Sequence, residues 1–128
     1  MQRDRPQIPA IDVAEAARAA EDAAATPGEP NAPLLVDVRE RDEFVRLRAP
    51  GAVLYPASSF LLRFEELPRD RPLLVICDSG SRSAAVTSWL LRNGWSDARN
   101  VTGGMQAWAR AGLAVRTGPL EPGEGDPA

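Results

Sequence analysis

The chain has 128 residues, 44% of them hydrophobic, which suffices for one domain with a single core and makes a second domain improbable. Its net charge of -3 at pH 7 argues against nucleic acid and acidic membrane surfaces, because both bind clustered cations. Histidine is absent and cysteine occurs once, which excludes Ser-His-Asp and Cys-His triads, intramolecular disulfides, cysteine metal clusters and nearly every zinc site. Small molecules or proteins are the expected partners.

Short apolar runs alternate with amphipathic stretches along the chain, and this pattern predicts an α/β fold with a largely parallel sheet. The predicted strands cover residues 8–11, 34–38, 52–55, 73–76 and 98–101. The predicted helices cover residues 12–22, 41–47, 58–67, 82–93 and 105–111. We expect a capping box of Asp12 and Glu15 to begin the first helix, Ser58 or Ser59 to cap the third, and Gly94 to end the fourth.

Both ends of the chain depart from this pattern. Residues 1–7 are predicted to be an N-terminal extension of a domain that covers residues 8–115. The N-terminus lacks the apolar core of a signal peptide, and no run of about 18 apolar residues occurs, so we expect a cytoplasmic protein. Residues 116–128 are rich in proline, glycine and acidic residues and are predicted to be disordered, because they bury too little surface to offset ordering. A solvated tail is favoured there over a tether.

Cys77 is the candidate nucleophile. It follows the strongest predicted strand, and ligands of open α/β sheets bind beyond the carboxyl ends of the strands. The small residues Ser79, Gly80 and Ser81 let the backbone curl and direct several N–H groups at the sulfur or at an anion. A free cysteine has a pKa of about 8.5, and helix N-termini and arginine neighbours lower it to about 3.5–7.5. Such a thiolate needs no general base, which suits a chain without histidine.

Arg82 strengthens this hypothesis. A cation at the start of a helix opposes the helix dipole, so its presence indicates an anion to bind. A single cysteine at a strand end is, by itself, more often an inert buried residue. Cys77, the small residues after it and Arg82 together favour a functional site.

Four segments of the sequence are similar to the motifs of single-domain rhodaneses, in the same order, over about residues 8–115. They are Leu34-Leu35-Val36-Asp37-Val38-Arg39-Glu40, Pro50-Gly51-Ala52 followed by Pro56, the loop from Cys77 to Ser83, and Gly103-Gly104-Met105-Gln106-Ala107-Trp108. The loop resembles the family's Cys-x-x-Gly-x-Arg-Ser sequence. Each match is weak by itself, but four in register are highly specific.

The resemblance implies a rhodanese-like α/β fold, with a five-stranded, mostly parallel sheet flanked by helices on both faces. It also implies a sulfurtransferase that moves a sulfane sulfur from thiosulfate or a persulfide to cyanide or a thiol, through a persulfide on Cys77 and by ping-pong kinetics. No metal or separate cofactor is implied, since the covalent sulfur on Cys77 is the carrier. The implied partners are a small anionic sulfur donor, a thiol or cyanide acceptor, and a protein persulfide donor or acceptor as a further alternative.

The same resemblance assigns roles to residues around Cys77. The implied active-site loop consists of Asp78, Ser79, Gly80, Ser81, Arg82 and Ser83, whose amides hold the persulfide while Arg82 shapes the loop and balances charge. Asp37 and Arg39 are expected to support the loop from a neighbouring strand end, and a structural ion pair that closes the strand is an equally weighted alternative. Arg48 stands where the family usually has histidine; we expect it to be solvated, with positive charge near the pocket as the alternative.

Loop length and one charge bear on the choice between related activities. Related cell-cycle phosphatases place five residues between cysteine and arginine, whereas four lie between Cys77 and Arg82, which disfavours a cysteine-based phosphatase or arsenate reductase. A non-catalytic protein-binding module with the same fold is the other alternative, and Cys77, Gly80 and Arg82 speak against it. Asp78 adds a negative charge about 6 Å from the sulfur, which costs about 0.7–3 kcal/mol in repulsion and is expected to make thiosulfate a poor donor.

Overall fold

The computed structural model describes residues 8–126, and the predicted N-terminal extension lies outside them. The strands are β1 (Ala10–Ile11), β2 (Leu34–Asp37), β3 (Val53–Leu54), β4 (Leu73–Ile76) and β5 (Ala98–Val101). The α-helices are α1 (Val13–Ala25), α2 (Arg41–Arg46), α3 (Phe60–Arg63), α4 (Ser81–Arg92) and α5 (Gly104–Arg110). The strands form one sheet in the order β1-β5-β4-β2-β3, and every neighbouring pair is parallel. The predicted fold class is confirmed.

The central strand β4 explains how the two faces of the sheet are covered. All four of its residues are buried, as the unbroken apolar run predicts for a strand with both faces covered. Leu73 and Val75 belong to a core shared with α3 and α4, whereas Leu74 and Ile76 belong to a core shared with α1, α2 and α5. Cys77 continues the first series and therefore lies on the α3–α4 face.

The helix boundaries follow the predicted signals except in the third helix. Asp12 caps α1 by accepting the Glu15 N–H at 2.8 Å, and Gly94 has φ 107° just beyond α4. The helix predicted over residues 58–67 is divided into two 3-10 turns and the single turn α3. Its expected caps are engaged elsewhere, because the Ser58 hydroxyl donates to Glu40 Oε1 at 2.6 Å and the Ser59 hydroxyl to the Pro56 carbonyl.

The C-terminal segment, residues 116–126, corrects the prediction of a disordered tail. Arg116 exchanges two backbone hydrogen bonds with Arg48, at 2.9 and 2.8 Å, and the Gly118 N–H donates to the Val45 carbonyl at 2.8 Å. Further along, the Leu54 N–H of the edge strand β3 donates to the Gly125 carbonyl at 2.7 Å. The segment is ordered because its backbone groups pair with the domain, an interaction that a polar composition does not reveal.

Arg48 corrects a second prediction, since it is buried rather than solvated. Its Nε and Nη2 donate to the two carboxylate oxygens of Glu124 at 2.6 and 3.0 Å. Its Nη1 donates to the carbonyls of Gly118 at 2.8 Å and Val45 at 3.1 Å. The guanidinium tolerates burial because a bidentate carboxylate and several carbonyls satisfy its donors. Arg48 therefore anchors the C-terminal segment to α2.

Candidate active site

Cys77 occupies the first position after β4, at the middle of the carboxyl edge of the sheet. The chain then turns through Asp78, Ser79 and Gly80 into α4. Gly80 precedes the helix with φ 106°, a backbone conformation that side chains disfavour, and a Cβ there would also crowd the Gly103 nitrogen at 3.3 Å. The turn places the first residues of α4 directly over the sulfur.

Hydrogen-bond donors surround the sulfur of Cys77. The Gly80 N–H donates to Sγ at 3.1 Å and the Ser83 N–H at 3.3 Å, while the Ser83 hydroxyl oxygen lies 3.2 Å away. Burial raises the pKa of Cys77, but the Ser83 hydroxyl and the N–H groups of Ser83, Gly80 and Ser79 lower it more. The net pKa lies below the ordinary value of a thiol. The loop therefore favours the thiolate without a general base.

Asn100 forms a second layer behind the sulfur. It lies on β5, and its Oδ1 accepts the Ser83 hydroxyl proton at 2.6 Å. Ser83 thus contacts both Cys77 and Asn100, and its own side chain is fully buried. The Ser83 hydroxyl has a single proton, which cannot be donated to both neighbours at once.

The start of α5 holds the backbone of Cys77 from the other side. The Met105 N–H donates to the Cys77 carbonyl at 2.8 Å, and the Gln106 N–H donates to the Asp78 carbonyl at 3.0 Å. A Cβ on Gly104 would overlap both of these carbonyl groups. Gly104 is therefore required by this close approach of helix and loop, whereas a Cβ on Gly103 would overlap the Ala107 side chain.

Arg82 balances its charge within the protein. Its two terminal nitrogens donate to both carboxylate oxygens of Glu43 on α2, at 2.8 and 2.9 Å. The hydrogen bond from Arg82 is the main cause that lowers the pKa of Glu43 to about 2. The same bond raises the pKa of Arg82 further, and the negative charges of Cys77 and Asp78 contribute to that rise. The anion that the sequence analysis expected near Arg82 includes this internal carboxylate.

Asp37 and Arg39 form a buried ion pair at the end of β2. Arg39 Nη2 donates to Asp37 Oδ2 at 2.9 Å and to the Leu47 carbonyl at 2.7 Å. Burial is the largest influence on Asp37 and raises its pKa, against the opposing effect of Arg39. The pair ties the end of β2 to the C-terminal end of α2, the helix that carries Glu43. Its geometry matches the alternative of a structural ion pair, with an indirect effect on the loop through α2.

Asp78 is turned toward α5. Its Oδ2 accepts a hydrogen bond from Gln106 Nε2 at 2.6 Å, and it borders a cleft of about 230 Å³ between α2 and α5. Successive residues of an extended chain alternate between the faces of a sheet, so Asp78 follows Ile76 to the face opposite α4. The Asp78 carboxylate therefore has a hydrogen-bond donor in Gln106 and lies on the other face of the sheet from the sulfur.

A cavity larger than the cleft beside Asp78 lies away from this site. Its volume is about 520 Å³, and its walls are the C-terminal half of α1, the amino ends of β2 and β3, and residues 121–126. The chemistry of Cys77 belongs to the opposite edge of the sheet, where its donors converge. Cavity size therefore does not identify the candidate site in this protein.

The structure brings together Cys77, Gly80, Arg82 and Ser83 as the sequence analysis predicted, while Ser79 and Ser81 are exposed on the turn. Arg48 lies apart, because its hydrogen bonds go to α2 and the C-terminal segment. Three further residues were not predicted as site residues, namely Glu43, Asn100 and Gln106. Gln106 lies within the Gly-Gly motif, whereas no sequence motif pointed to Glu43 or Asn100.

The fold and the loop define an α/β protein with a cysteine-centred site at the carboxyl edge of a parallel sheet. The family model of the rhodanese-like domain matches residues 13–111. The chain therefore belongs to the rhodanese-like domain family. No helix among the described residues is both long and apolar enough to cross a membrane.

Two curated relatives carry sulfurtransferase names. A protein named sulfurtransferase from Allochromatium vinosum is 37% identical over 82 residues, which are 64% of this chain and 77% of the relative. The thiosulfate sulfurtransferase GlpE from Actinobacillus succinogenes is 32% identical over 84 residues, which are 66% of this chain and 76% of the relative.

Solved structures share the fold. A rhodanese-related protein from Thermoplasma volcanium matches with a TM-score of 0.70 and 28% identity, over 84% of this chain and 97% of that one. A thiosulfate sulfurtransferase from Pseudomonas aeruginosa matches with a TM-score of 0.71 and 27% identity, over 88% of this chain and 21% of that one. This chain therefore corresponds to about one fifth of the Pseudomonas protein.

Proposed function

We propose that the protein is a sulfurtransferase that carries a sulfane sulfur as a persulfide on Cys77. The observation that carries this proposal is the set of donors that converge on Sγ, with N–H groups at 3.1 and 3.3 Å. The sulfurtransferase names of two relatives support this activity.

The reaction has two balanced steps. In the first, the Cys77 thiolate attacks the outer sulfur of the donor; with thiosulfate, the S–S bond breaks and sulfite leaves with the electron pair. The product is the Cys77 persulfide anion. In the second step, cyanide or a thiolate attacks the outer sulfur of that persulfide and restores the Cys77 thiolate. Because the chain holds one cysteine, the acceptor must supply its own nucleophile.

The charges around Cys77 favour a donor of low charge, such as the persulfide of a small thiol or a protein, over the thiosulfate dianion. Arg82 is the one basic residue of the loop, and Glu43 engages both of its terminal nitrogens. Asp78 adds a negative charge next in sequence to Cys77, on the opposite face of the sheet from the sulfur. Within residues 77–83, the one cation therefore already has a counter-charge, and none remains to attract a dianion. We propose a cytoplasmic location for the protein, because thiol acceptors are held reduced there.

Intact mass spectrometry after incubation with thiosulfate, or with the persulfide of a small thiol, tests the proposal. We expect the mass of one sulfur atom to be added to the wild-type protein, with faster addition from the persulfide. The Cys77→Ser variant is the matched control and is expected to gain nothing. Cyanide should then remove the added sulfur as thiocyanate. Absence of an adduct from both donors contradicts the proposal.

A second candidate function is a non-catalytic module that binds a partner protein through the same fold. One observation favours it: Cys77 exposes 0% of its surface, so a donor has to enter the loop before it reaches the sulfur. The same incubation separates the two functions. A protein that keeps its mass with both donors, while its fold remains intact by circular dichroism, fits the binding module.

A further inference from the structure

The Ser83 hydroxyl stands between two groups that compete for its one proton. Cys77 Sγ lies 3.2 Å from Ser83 Oγ on one side, and Asn100 Oδ1 lies 2.6 Å from it on the other. Ser83 is fully buried, so solvent does not offer its hydroxyl a third partner. A hydroxyl has one donor and two acceptor positions. It therefore presents either its proton or a lone pair to the sulfur.

The short contact on the Asn100 side favours a Ser83 proton that points at Asn100. Hydrogen bonds of the O–H···O type are commonly about 2.5–3.0 Å long, whereas N–H···O bonds are about 2.7–3.2 Å. The 2.6 Å separation therefore fits the amide oxygen of Asn100 as the neighbour of the Ser83 hydroxyl. With the proton engaged there, Ser83 presents a lone pair to Cys77.

We propose that Asn100 is a positioning residue for Cys77, because it decides whether the Ser83 hydroxyl faces the sulfur as a donor or as an acceptor. The inference rests on the proposed function of Cys77 as a sulfur carrier. Asn100 touches neither the sulfur nor a donor molecule in this role. It acts through Ser83 alone, and the step it controls is a rotation of the Ser83 O–H bond.

Each state of Cys77 has its own arrangement of protons. In the thiol, the Cys77 S–H donates to Ser83 Oγ while the Ser83 O–H donates to Asn100. In the thiolate, the Ser83 O–H turns from Asn100 to the charged sulfur, where it lowers the pKa of Cys77, and it gives up its hydrogen bond to Asn100. In the persulfide, the negative charge moves to the outer sulfur and the Ser83 O–H returns to Asn100. Asn100 therefore disfavours the free thiolate but not the persulfide, which promotes sulfur loading.

The charged groups near Cys77 are the same with and without this interaction. They are Arg82 on α4, its partner Glu43 on α2, Asp78 in the loop and the Asp37–Arg39 pair at the end of β2. The residue that faces Ser83 from β5 is the neutral Asn100. A change at Asn100 to another neutral residue therefore tests the hydroxyl alone.

The experiment compares the Asn100→Ala and Asn100→Asp variants with wild type, each also in a Ser83→Ala background. Because the chain has one cysteine, isotopically labelled cysteine gives a single Cβ signal whose pH titration reports Cys77 without any substrate. We expect Asn100→Ala to lower the pKa of Cys77, because the Ser83 proton is released to the thiolate. Asn100→Asp should raise that pKa, since a carboxylate holds the proton more firmly and adds negative charge.

The rate of persulfide formation gives a second signature. A hydrogen bond to an ion changes an equilibrium constant by about tenfold, so Asn100→Ala should raise the thiolate fraction at low pH by about that factor. Thiolate nucleophilicity falls as the pKa falls, with a Brønsted slope of about 0.4–0.5. Asn100→Ala should therefore react about threefold faster than wild type at low pH and about threefold slower at high pH. A merely structural residue does not produce such a crossing.

The Ser83→Ala background separates this proposal from its competitors. In the Ser83→Ala background, Asn100→Ala should leave the pKa of Cys77 unchanged. Asn100→Asp should shift that pKa only by the effect of its added charge. An Asn100→Ala shift that persists without the Ser83 hydroxyl, or that raises the pKa of Cys77, overturns the proposal. If Asn100→Ala does not fold, the near-isosteric Asn100→Asp pair decides the question. If the pKa of Cys77 shifts as expected in these variants but no sulfur is transferred, the proposed function is overturned and the role of Asn100 stands.

Discussion

Two arginine–glutamate pairs of the protein look alike in contact distance but differ in their surroundings. Arg82 and Glu43 are 2.8 Å apart at the active-site loop, and their side chains are 37% and 25% exposed. Arg48 and Glu124 are 2.6 Å apart on the C-terminal segment, and their side chains are 1% and 13% exposed. Both glutamates have a pKa of about 2 because of their arginine partners.

Burial separates the roles of the two pairs. Exposed ion pairs contribute about 0–1 kcal/mol to stability, whereas breaking a buried pair costs about 3–5 kcal/mol. The Arg48 guanidinium also donates to carbonyls of α2 and the C-terminal segment. The Arg82 pair, by contrast, is open to water and to an incoming donor. One pair stabilises the fold, and the other sets the charge of the site.

The largest effect is expected from the same substitution made at the two arginines. Arg48→Met should lower the free energy of unfolding by about 3 kcal/mol, because Glu124 and several carbonyls lose their partner. Arg82→Met should lower it by less than about 1 kcal/mol. Urea unfolding followed by circular dichroism measures both values. Equal losses would show that burial does not distinguish the two pairs.

A second comparison removes the acids instead. Glu43→Gln keeps the helix cap but releases Arg82 from its counter-charge, so kcat/KM for thiosulfate should rise about three- to tenfold. Glu124→Gln is the matched control and should leave kcat/KM unchanged while it lowers stability. The rate with a persulfide donor, which carries less charge than thiosulfate, should respond less to Glu43→Gln. An unchanged thiosulfate rate in Glu43→Gln would contradict the charge argument.

Asp78→Asn extends this test to the other acid of the site. The Asp78 carboxylate accepts a hydrogen bond from Gln106 on the opposite face of the sheet from the sulfur. Its repulsion of thiosulfate should therefore lie at the low end of about 0.7–3 kcal/mol. We expect kcat/KM for thiosulfate to rise about threefold, and less at high salt. An increase larger than that of Glu43→Gln would mean that Asp78 faces the donor directly.

The smallest effect is expected from acid. Glu43 and Glu124 have folded pKa values of about 2, below the ordinary value of about 4.3 that applies to the unfolded chain. Their stabilising effect is therefore complete above the unfolded pKa and is lost as the pH falls toward the folded value. The urea midpoint should drop between about pH 5 and pH 3, and each Glu→Gln variant should show a smaller drop. A drop of wild-type size in both variants would exclude these two acids as its cause.

The sequence was informative where one segment determines its own structure. The strands β4 and β5 have the predicted bounds, and the Cys77 turn follows from small residues between a strand and a helix. Hydrophobic runs and glycine positions are local signals, so they can be interpreted without the rest of the chain. The partners of the site were not predictable in this way. Ser83 bonds to Asn100 at a sequence separation of 17 residues, and Arg82 bonds to Glu43 at a separation of 39.

The C-terminal segment shows a different limit. Its proline, glycine and acidic residues predict disorder by composition, yet one acid meets a buried arginine 76 residues earlier. Burial of Arg48 is unfavourable without that partner, so neither half of the interaction is recognisable alone. The prediction failed for Arg48 and for residues 116–126 for the same physical reason.

The hydrogen bond from the Leu54 N–H to the Gly125 carbonyl has a consequence for self-association. β3 is the outermost strand on its side of the sheet, and an uncovered edge offers unpaired backbone groups to another chain. Gly125 occupies one of those groups, and a Cβ at this position would crowd the Phe44 ring at 3.0 Å. The C-terminal segment therefore covers one backbone group of this edge and leaves one fewer for edge-to-edge pairing with another chain.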